Sequence, residues 1–446
     1  MSKRRDLTEG SIPKKLIQLT LPMMLGMISM VAFNLIDTYF VGKLGKSELA
    51  ALSFTFPVIM VIFSIIQGIG IGATALIAKS IGKSDRNKAA RETTDSIFLT
   101  LLLTGIFVAI GLLTIEPTLK LLGADGETAT MAGKYMRIWY FALFFVSVPF
   151  VGNSAIRSTG DAQTPTYIML FAVLVNAILD PILIFGYWGF PALGLEGAAI
   201  ATAVSRGLTM VLSFYVLIKR ERLITFDIPT YKVLSGCWKS ILFIALPSAL
   251  ARLVVPIATG IITAMLASYG EFAVAAFGVG SRIEFLANSL VFALAASIGP
   301  FVGQNLGKGR IDRMKAAVAL SSRFSIVWGF FAWGVLALFA NQIGAIFNDN
   351  PEVIETVRLF LWIVPAGYGL QGILSIINSN LNTINKPLQA SLIIVAQMLV
   401  IGLPVIFLGK ELFEVKGVFM GLGITYVIGG LISLVVNTRI MATFNK

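Results

Sequence analysis

The chain has no histidine and a single cysteine, Cys237, and only 13% of its 446 residues are charged, about half the roughly 25% of an ordinary soluble domain. Each scarcity excludes something. Without histidine the commonest metal ligand and the usual proton carrier near neutral pH are missing, so any proton chemistry falls to carboxylates. One thiol allows neither a disulfide framework nor a thiolate metal centre of ordinary ligand count. So little charge, beside 57% apolar residues and a mean hydropathy of +0.86, excludes a soluble globular enzyme. The opening MSKRRDLTEGSIPKK is polar and basic, and the apolar run after it is too long for a signal-peptide core, so no cleavable signal is expected.

What is present is a series of apolar runs separated by short polar gaps. A bilayer-spanning helix needs roughly 20 such residues, and the runs predict twelve spans, at 16–42, 50–78, 93–115, 134–156, 166–187, 191–218, 240–268, 274–304, 316–345, 357–381, 388–409 and 417–438. The net charge of +12 would suggest nucleic acid in a soluble protein; between membrane spans it reports orientation. With the N-terminus inside, 23 Lys/Arg fall in cytoplasmic segments, Lys3, Arg4, Arg5 and Lys446 among them, against six outside. That bias satisfies the positive-inside rule with both termini cytoplasmic.

Sliding the chain by 225 residues aligns Leu21-Pro22 with Leu246-Pro247, Gly45 with Gly270, Ala50-Ala51 with Ala275-Ala276 and Gly82-Lys83 with Gly307-Lys308. Six spans per half keep both copies in the same membrane orientation. Such parallel repeats are a recurrent transporter architecture. The expected organisation is an N-terminal lobe over 1–218, a basic cytoplasmic linker over 219–239 and a C-terminal lobe over 240–446.

The copies differ in their polar residues. Asp37 lies inside the first span, where the second half has Ile262, and Asn176 and Asp180 lie inside the fifth, against IGLPVIF in the eleventh. An acid at a helix centre costs about 2.5–3.5 kcal/mol on insertion scales. Asn176 and Asp180 are four apart and share a helix face; with Asp37 and Thr202 of the sixth span they form one expected cluster. Such a cluster can hold and release a proton, and its oxygens equally suit Na⁺; the plain alternative is interhelical packing glue. Arg282 and Glu284 on the eighth span point to different faces and are each expected to pair with another helix. The run GIGIGATA (Gly68, Gly70, Gly72) lacks the strand and Lys-Ser/Thr ending of a phosphate loop and is expected to serve close helix packing.

The opening LTLPMMLGMISMVAFNLIDTYFVGKLG, the GKSDRNKAARE loop, RSTGDAQTPTY, VNAILDPILIFG and GLEGAAIATAVS, in this order and spacing, resemble the multidrug and toxic compound extrusion (MATE) family over essentially the whole chain, and its DinF-like branch in particular. The resemblance implies an all-α membrane protein of twelve helices in a V-shaped pair of six-helix lobes. It implies export of amphipathic, often cationic drugs by antiport with H⁺ or Na⁺, without a cofactor and without enzyme activity. Carried over by position, Asp37 is the helix 1 carboxylate, Asn176, Asp180 and Thr202 its partners, Tyr135, Asn153 and Met27 line the drug cavity, and Pro22 is the point at which helix 1 bends. The expected partners are small organic cations and membrane lipids, with no nucleic acid, for a monomer in a prokaryotic cytoplasmic membrane. The rivals are a lipid or lipid-linked saccharide flippase, which would bring several of Arg206, Arg252, Arg282 and Arg323 together, an intramembrane aspartyl enzyme, and a channel.

Overall fold

The structure, a computed structural model, describes residues 6–445; Lys3, Arg4, Arg5 and Lys446 lie outside the described residues. Helix follows helix, and no strand occurs among the described residues. The first half comprises α1 (Ile12–Gly42), α2 (Lys46–Gly82), α3 (Arg86–Leu121), α4 (Gly126–Ser158), α5 (Gln163–Phe185) and α6 (Gly194–Tyr215), which ends in a π-helical turn at Val216–Arg220. The second comprises α7 (Tyr231–Ala267), α8 (Glu271–Gly307), α9 (Ile311–Leu338), the short α10 (Ala340–Phe347), α11 (Pro351–Ile363), α12 (Tyr368–Thr383), α13 (Pro387–Val395) and α14 (Leu403–Ala442).

Eleven stretches among the described residues are long and apolar enough to span a bilayer. The last, Pro387–Ala442, has 56 residues and would run about 84 Å if straight, far more than the roughly 30 Å hydrocarbon core. It does not run straight. Phe413 and Glu414 leave helical geometry, Glu414 with φ 52°, and the backbones of Gly409 and Gly417 meet, so the chain folds back and supplies the twelfth pass.

The 225-residue offset holds to the residue: α2 and α8 share both ends, α1 and α7 share their last residue, and α3 and α9 share their first. Local chemistry repeats with it. The α2–α3 turn uses Ser84 at φ 62°, and the α8–α9 turn Gly309 at φ 75°; the first is followed by an N-cap, Asp85, whose carboxylate accepts from Lys88 N at 3.0 Å. The unbroken α4 corresponds to α11 plus α12, whose first and last residues match its own. A 3₁₀ turn at Val364–Gly367, containing Pro365, divides that counterpart, because proline donates no helical hydrogen bond. The span expected over 316–345 is likewise divided, at Phe339.

Two compact units emerge among the described residues, one of Asp6 with 25–246, the other of 7–24 with 247–445. The change of unit thus falls within two helices, α1 and α7, next to Pro22 and Pro247. In the first unit, the segment before α7 and the start of α7 are tied to α3: Thr225 N donates to Thr94 Oγ1 at 3.1 Å and Trp238 Nε1 to the Asp95 carbonyl at 3.0 Å. In the second, Leu7 N donates to Gln304 Oε1 at 3.1 Å and Asn305 Nδ2 to the Leu7 carbonyl at 3.1 Å. Small residues set the helix spacing, Gly70 lying against Phe150 and Ser154 and Gly72 against the Ile241 backbone, so GIGIGATA serves packing. Many large apolar side chains face outward, Leu113 and Leu121 among them, as lipid contact requires.

Candidate functional site

The first unit collects the polar residues singled out in the sequence. Two contacts fix their relative heights. Gly26 on α1 faces Thr166 on α5, with a Cβ built there 3.4 Å from Thr166 Oγ1. Counting from that contact along helices that run the same way puts Asn176 about 15 Å, Asp37 about 16.5 Å and Asp180 about 21 Å on. Between α5 and α6, Leu193 N donates to the Leu183 carbonyl at 3.0 Å, and the bare Gly197 lies against the same carbonyl. From Leu183 and Gly197, Asp180 is about 4.5 Å, Thr202 about 7.5 Å and Asn176 about 10.5 Å along. The four residues therefore stand within about 6 Å of one another in height, roughly one helical turn.

Asn176 Nδ2 donates to Asp180 Oδ1 at 3.0 Å, the four-residue spacing brought to effect on α5. Asp37 and Asp180 lie within electrostatic reach of each other and of Tyr135. Each of the four retains a buried polar atom with no hydrogen-bond partner: Asp37 Oδ1, Asn176 Oδ1, Asp180 Oδ2 and Thr202 Oγ1. An unpaired buried polar atom costs about 1–3 kcal/mol. Four together, all oxygens, make a donor set of hard ligands that fits H⁺ or Na⁺. Among the described residues no group of three or more His, Cys, Asp or Glu side chains has metal-holding geometry; this set has two carboxylates, an amide and a hydroxyl.

The remaining assigned residues are dispersed. Tyr135 is buried among Trp139, Tyr140 and Leu143, beside the carboxylates. Asn153, about 27 Å farther along α4, accepts from Ser213 Oγ at 3.1 Å and lines a cavity of about 70 Å³ with Met30, Phe145, Phe150, Arg157, Arg206 and Thr209. Met27 is half-buried on α1 and does not line that cavity; Met30, one turn on, does. Pro22 lies about 22 Å from Asp37 along α1, which remains helical through the proline.

Sequence reasoning missed Arg206 as a member of this region. Its guanidinium lies 4.2 Å from the centroid of the Phe33 ring and within electrostatic reach of Asp37, between the carboxylates and the cavity. The signal was available: Arg206 follows Thr202 by four residues, on the same face of α6. In the second unit Tyr426 Oη donates to Glu284 Oε1 at 2.6 Å, the interhelical pairing expected of Glu284. Arg282 is exposed and has no ion-pair partner among the described residues, contrary to expectation.

A family model described as MatE matches this chain twice, over residues 22–182 and 247–408, again 225 residues apart at their starts. The chain is 37% identical to the FAD transporter of Shewanella oneidensis, over 97% of this chain and 95% of that protein. It is 26% identical to the multidrug export protein MepA of Staphylococcus aureus, over 92% of this chain and 90% of that one. Among solved structures, the Vibrio cholerae MATE transporter VcmN in the bent form superposes with a TM-score of 0.92 at 29% identity, covering 97% of this chain and 98% of that one.

Proposed function

The chain is a member of the MATE family of membrane transporters, and from that premise we propose a secondary active exporter driven by inward flow of H⁺ or Na⁺ through the Asp37, Asn176, Asp180 and Thr202 cluster. The observation that carries this reading is the set of four unpartnered oxygens on residues that lie within about one helical turn of one another in height. A cation arriving there neutralises Asp37 or Asp180 and recruits the free oxygens of Asn176 and Thr202, changing how α1, α5 and α6 bond to one another. One charge crossing 100 mV is worth about 2.3 kcal/mol, enough to bias two conformations of a transporter. Pro22 is the proposed point of bending in α1, since it lacks a helical donor. The basic bias of 23 to six supports cytoplasmic termini.

The cargo reading divides between amphipathic drugs, which the multidrug relatives are named for, and a flavin dinucleotide, named for the relative at 37% identity. The test is export from efflux-deficient bacteria expressing wild type or Asp37→Asn, read as ethidium efflux and as FAD released to the medium, with external pH and Na⁺ varied separately. Export that requires Asp37 and follows one gradient supports the reading and names the ion; wild-type export at the same rate from Asp37→Asn overturns it.

A further inference from the structure

The cavity beneath the carboxylates has an unexpected lining for a carrier of cations. Arg157 of α4 and Arg206 of α6 both border it, and neither has a carboxylate within ion-pair distance among the described residues. Arg157 Nη2 donates to Ser154 Oγ at 2.7 Å, and Arg206 rests on the Phe33 ring; their other donors have no acceptor among the described residues. Asn153, on the same lining, spends its carbonyl on Ser213 and keeps its amide donor. Phe63, Phe145 and Phe150, with Met30 and Met169, supply the rest of the wall.

Among the described residues Arg157 has no carboxylate in reach and Arg206 only Asp37, and guanidiniums on a low-dielectric wall disfavour a cation and favour an anion. Their spacing adds shape. Asn153 and Ser213 mark one level, from which Arg157 lies about 6 Å to one side and Arg206 about 10.5 Å to the other; Phe150, about 4.5 Å from that level on the Arg206 side, stands between the two positive ends. A volume near 70 Å³ is well below the roughly 300 Å³ or more of a pocket that encloses a drug-sized ligand; it admits a part of the cargo, a phosphate or a ring edge.

We propose that Arg157, Arg206 and Asn153 form an anion-selective subsite, and that the cargo is a phosphate-bearing aromatic anion of the flavin nucleotide type rather than an organic cation. The proposal rests on the exporter reading but concerns binding, so the two can fail separately. Guanidinium–phosphate bonds carry charge selectivity, and the rings give flat apolar surface for a fused ring system.

The experiment is equilibrium binding to the purified full chain in detergent, with FAD, riboflavin and ethidium as probes. FAD is expected to bind at least tenfold more tightly than riboflavin, which has the same ring and no phosphate, and to weaken with added KCl while riboflavin does not. Arg206→Gln and Arg157→Gln should each weaken FAD at least tenfold and leave riboflavin within twofold, and Arg206→Lys should recover part of the loss. Should the glutamine variants not fold, the riboflavin comparison and salt dependence in the wild type still decide. Equal affinity for FAD and riboflavin, or tighter binding of ethidium than of FAD, overturns the proposal. Displacement of FAD by equimolar short-chain phosphatidylglycerol overturns the nucleotide assignment in favour of a lipid headgroup. Arginine-dependent FAD binding with export indifferent to Asp37 would remove the coupling reading and leave this one standing.

Discussion

The two halves of the chain share their helix register to the residue from α2 and α8 through the start of α3 and α9, yet none of their buried carboxylates coincide. Asp37, Asn176, Asp180 and Thr202 correspond at the 225-residue offset to Ile262, Ile401, Val405 and Val427; Glu284, Tyr368 and Tyr426 correspond to Ile59, Leu143 and Ala201. The difference teaches that scaffold and chemistry are separable. Turn residues and close-packed glycines hold the repeat, while each half is free to place polar groups where its own neighbours permit. The first half leaves the four acceptors of one cluster unpaired, two of them on carboxylates; the second ties its carboxylate Glu284 to Tyr426 and Gln397 Nε2 to Gln371 Oε1 at 2.6 Å, and its own unpartnered atoms among the described residues, such as those on Asn288, Ser321, Tyr368 and Asn380, include no carboxylate. On this account the first half carries the ion and the second holds its shape.

The largest effect should separate the halves outright. Asp37→Asn is expected to lower export to background, at least tenfold, whereas Glu284→Gln, which keeps an acceptor for Tyr426, should lower it less than twofold at equal expression. Export lost equally in both variants would break the asymmetry. Next, Asn176→Ala removes the donor to Asp180 and should reduce export about tenfold to a hundredfold, in keeping with about 1.5–3 kcal/mol for a hydrogen bond to a charged group; its counterpart Ile401→Ala should leave export within twofold.

Packing offers smaller contrasts. At the α9–α12 contact a Cβ on Gly329 would meet the Gly369 backbone, and Ser325 Oγ donates to the Gly369 carbonyl at 2.8 Å. The matched position in the first half is Thr104, whose Oγ1 donates to Ser147 Oγ at 2.9 Å across α3 and α4. Gly329→Ala should cost about 1–3 kcal/mol as overpacking, read as a fall in thermal midpoint in detergent. Thr104→Val should cost about 0.6 kcal/mol, the average for a hydrogen bond within a membrane protein. A larger loss at Thr104 than at Gly329 would reverse the packing comparison.

Much of this was legible in the sequence. Spans follow from apolar length, the repeat from a single register, and the Asp37, Asn176 and Asp180 set from the cost of acids in apolar runs. What escaped depends on contacts between helices. Arg206 joins the site only because α6 lays it over Phe33 of α1, and Arg157 gains meaning only from sharing a cavity with it. The division at Pro365 could have been suspected, since proline breaks the helical ladder, but Pro149 sits inside the unbroken α4, so the residue alone does not decide. Arg282 shows the opposite error: a charge in a span invited a partner, and the structure places it on the surface.

The account's central claim, that ions drive export through the first half alone, is tested most directly in proteoliposomes loaded with a pH-reporting or Na⁺-reporting dye, by adding cargo to the wild type, Asp37→Asn and Glu284→Gln. Cargo-dependent movement of one ion in the wild type and Glu284→Gln, absent in Asp37→Asn, is the predicted result. Undiminished ion movement in Asp37→Asn, or its loss in Glu284→Gln alone, would contradict it.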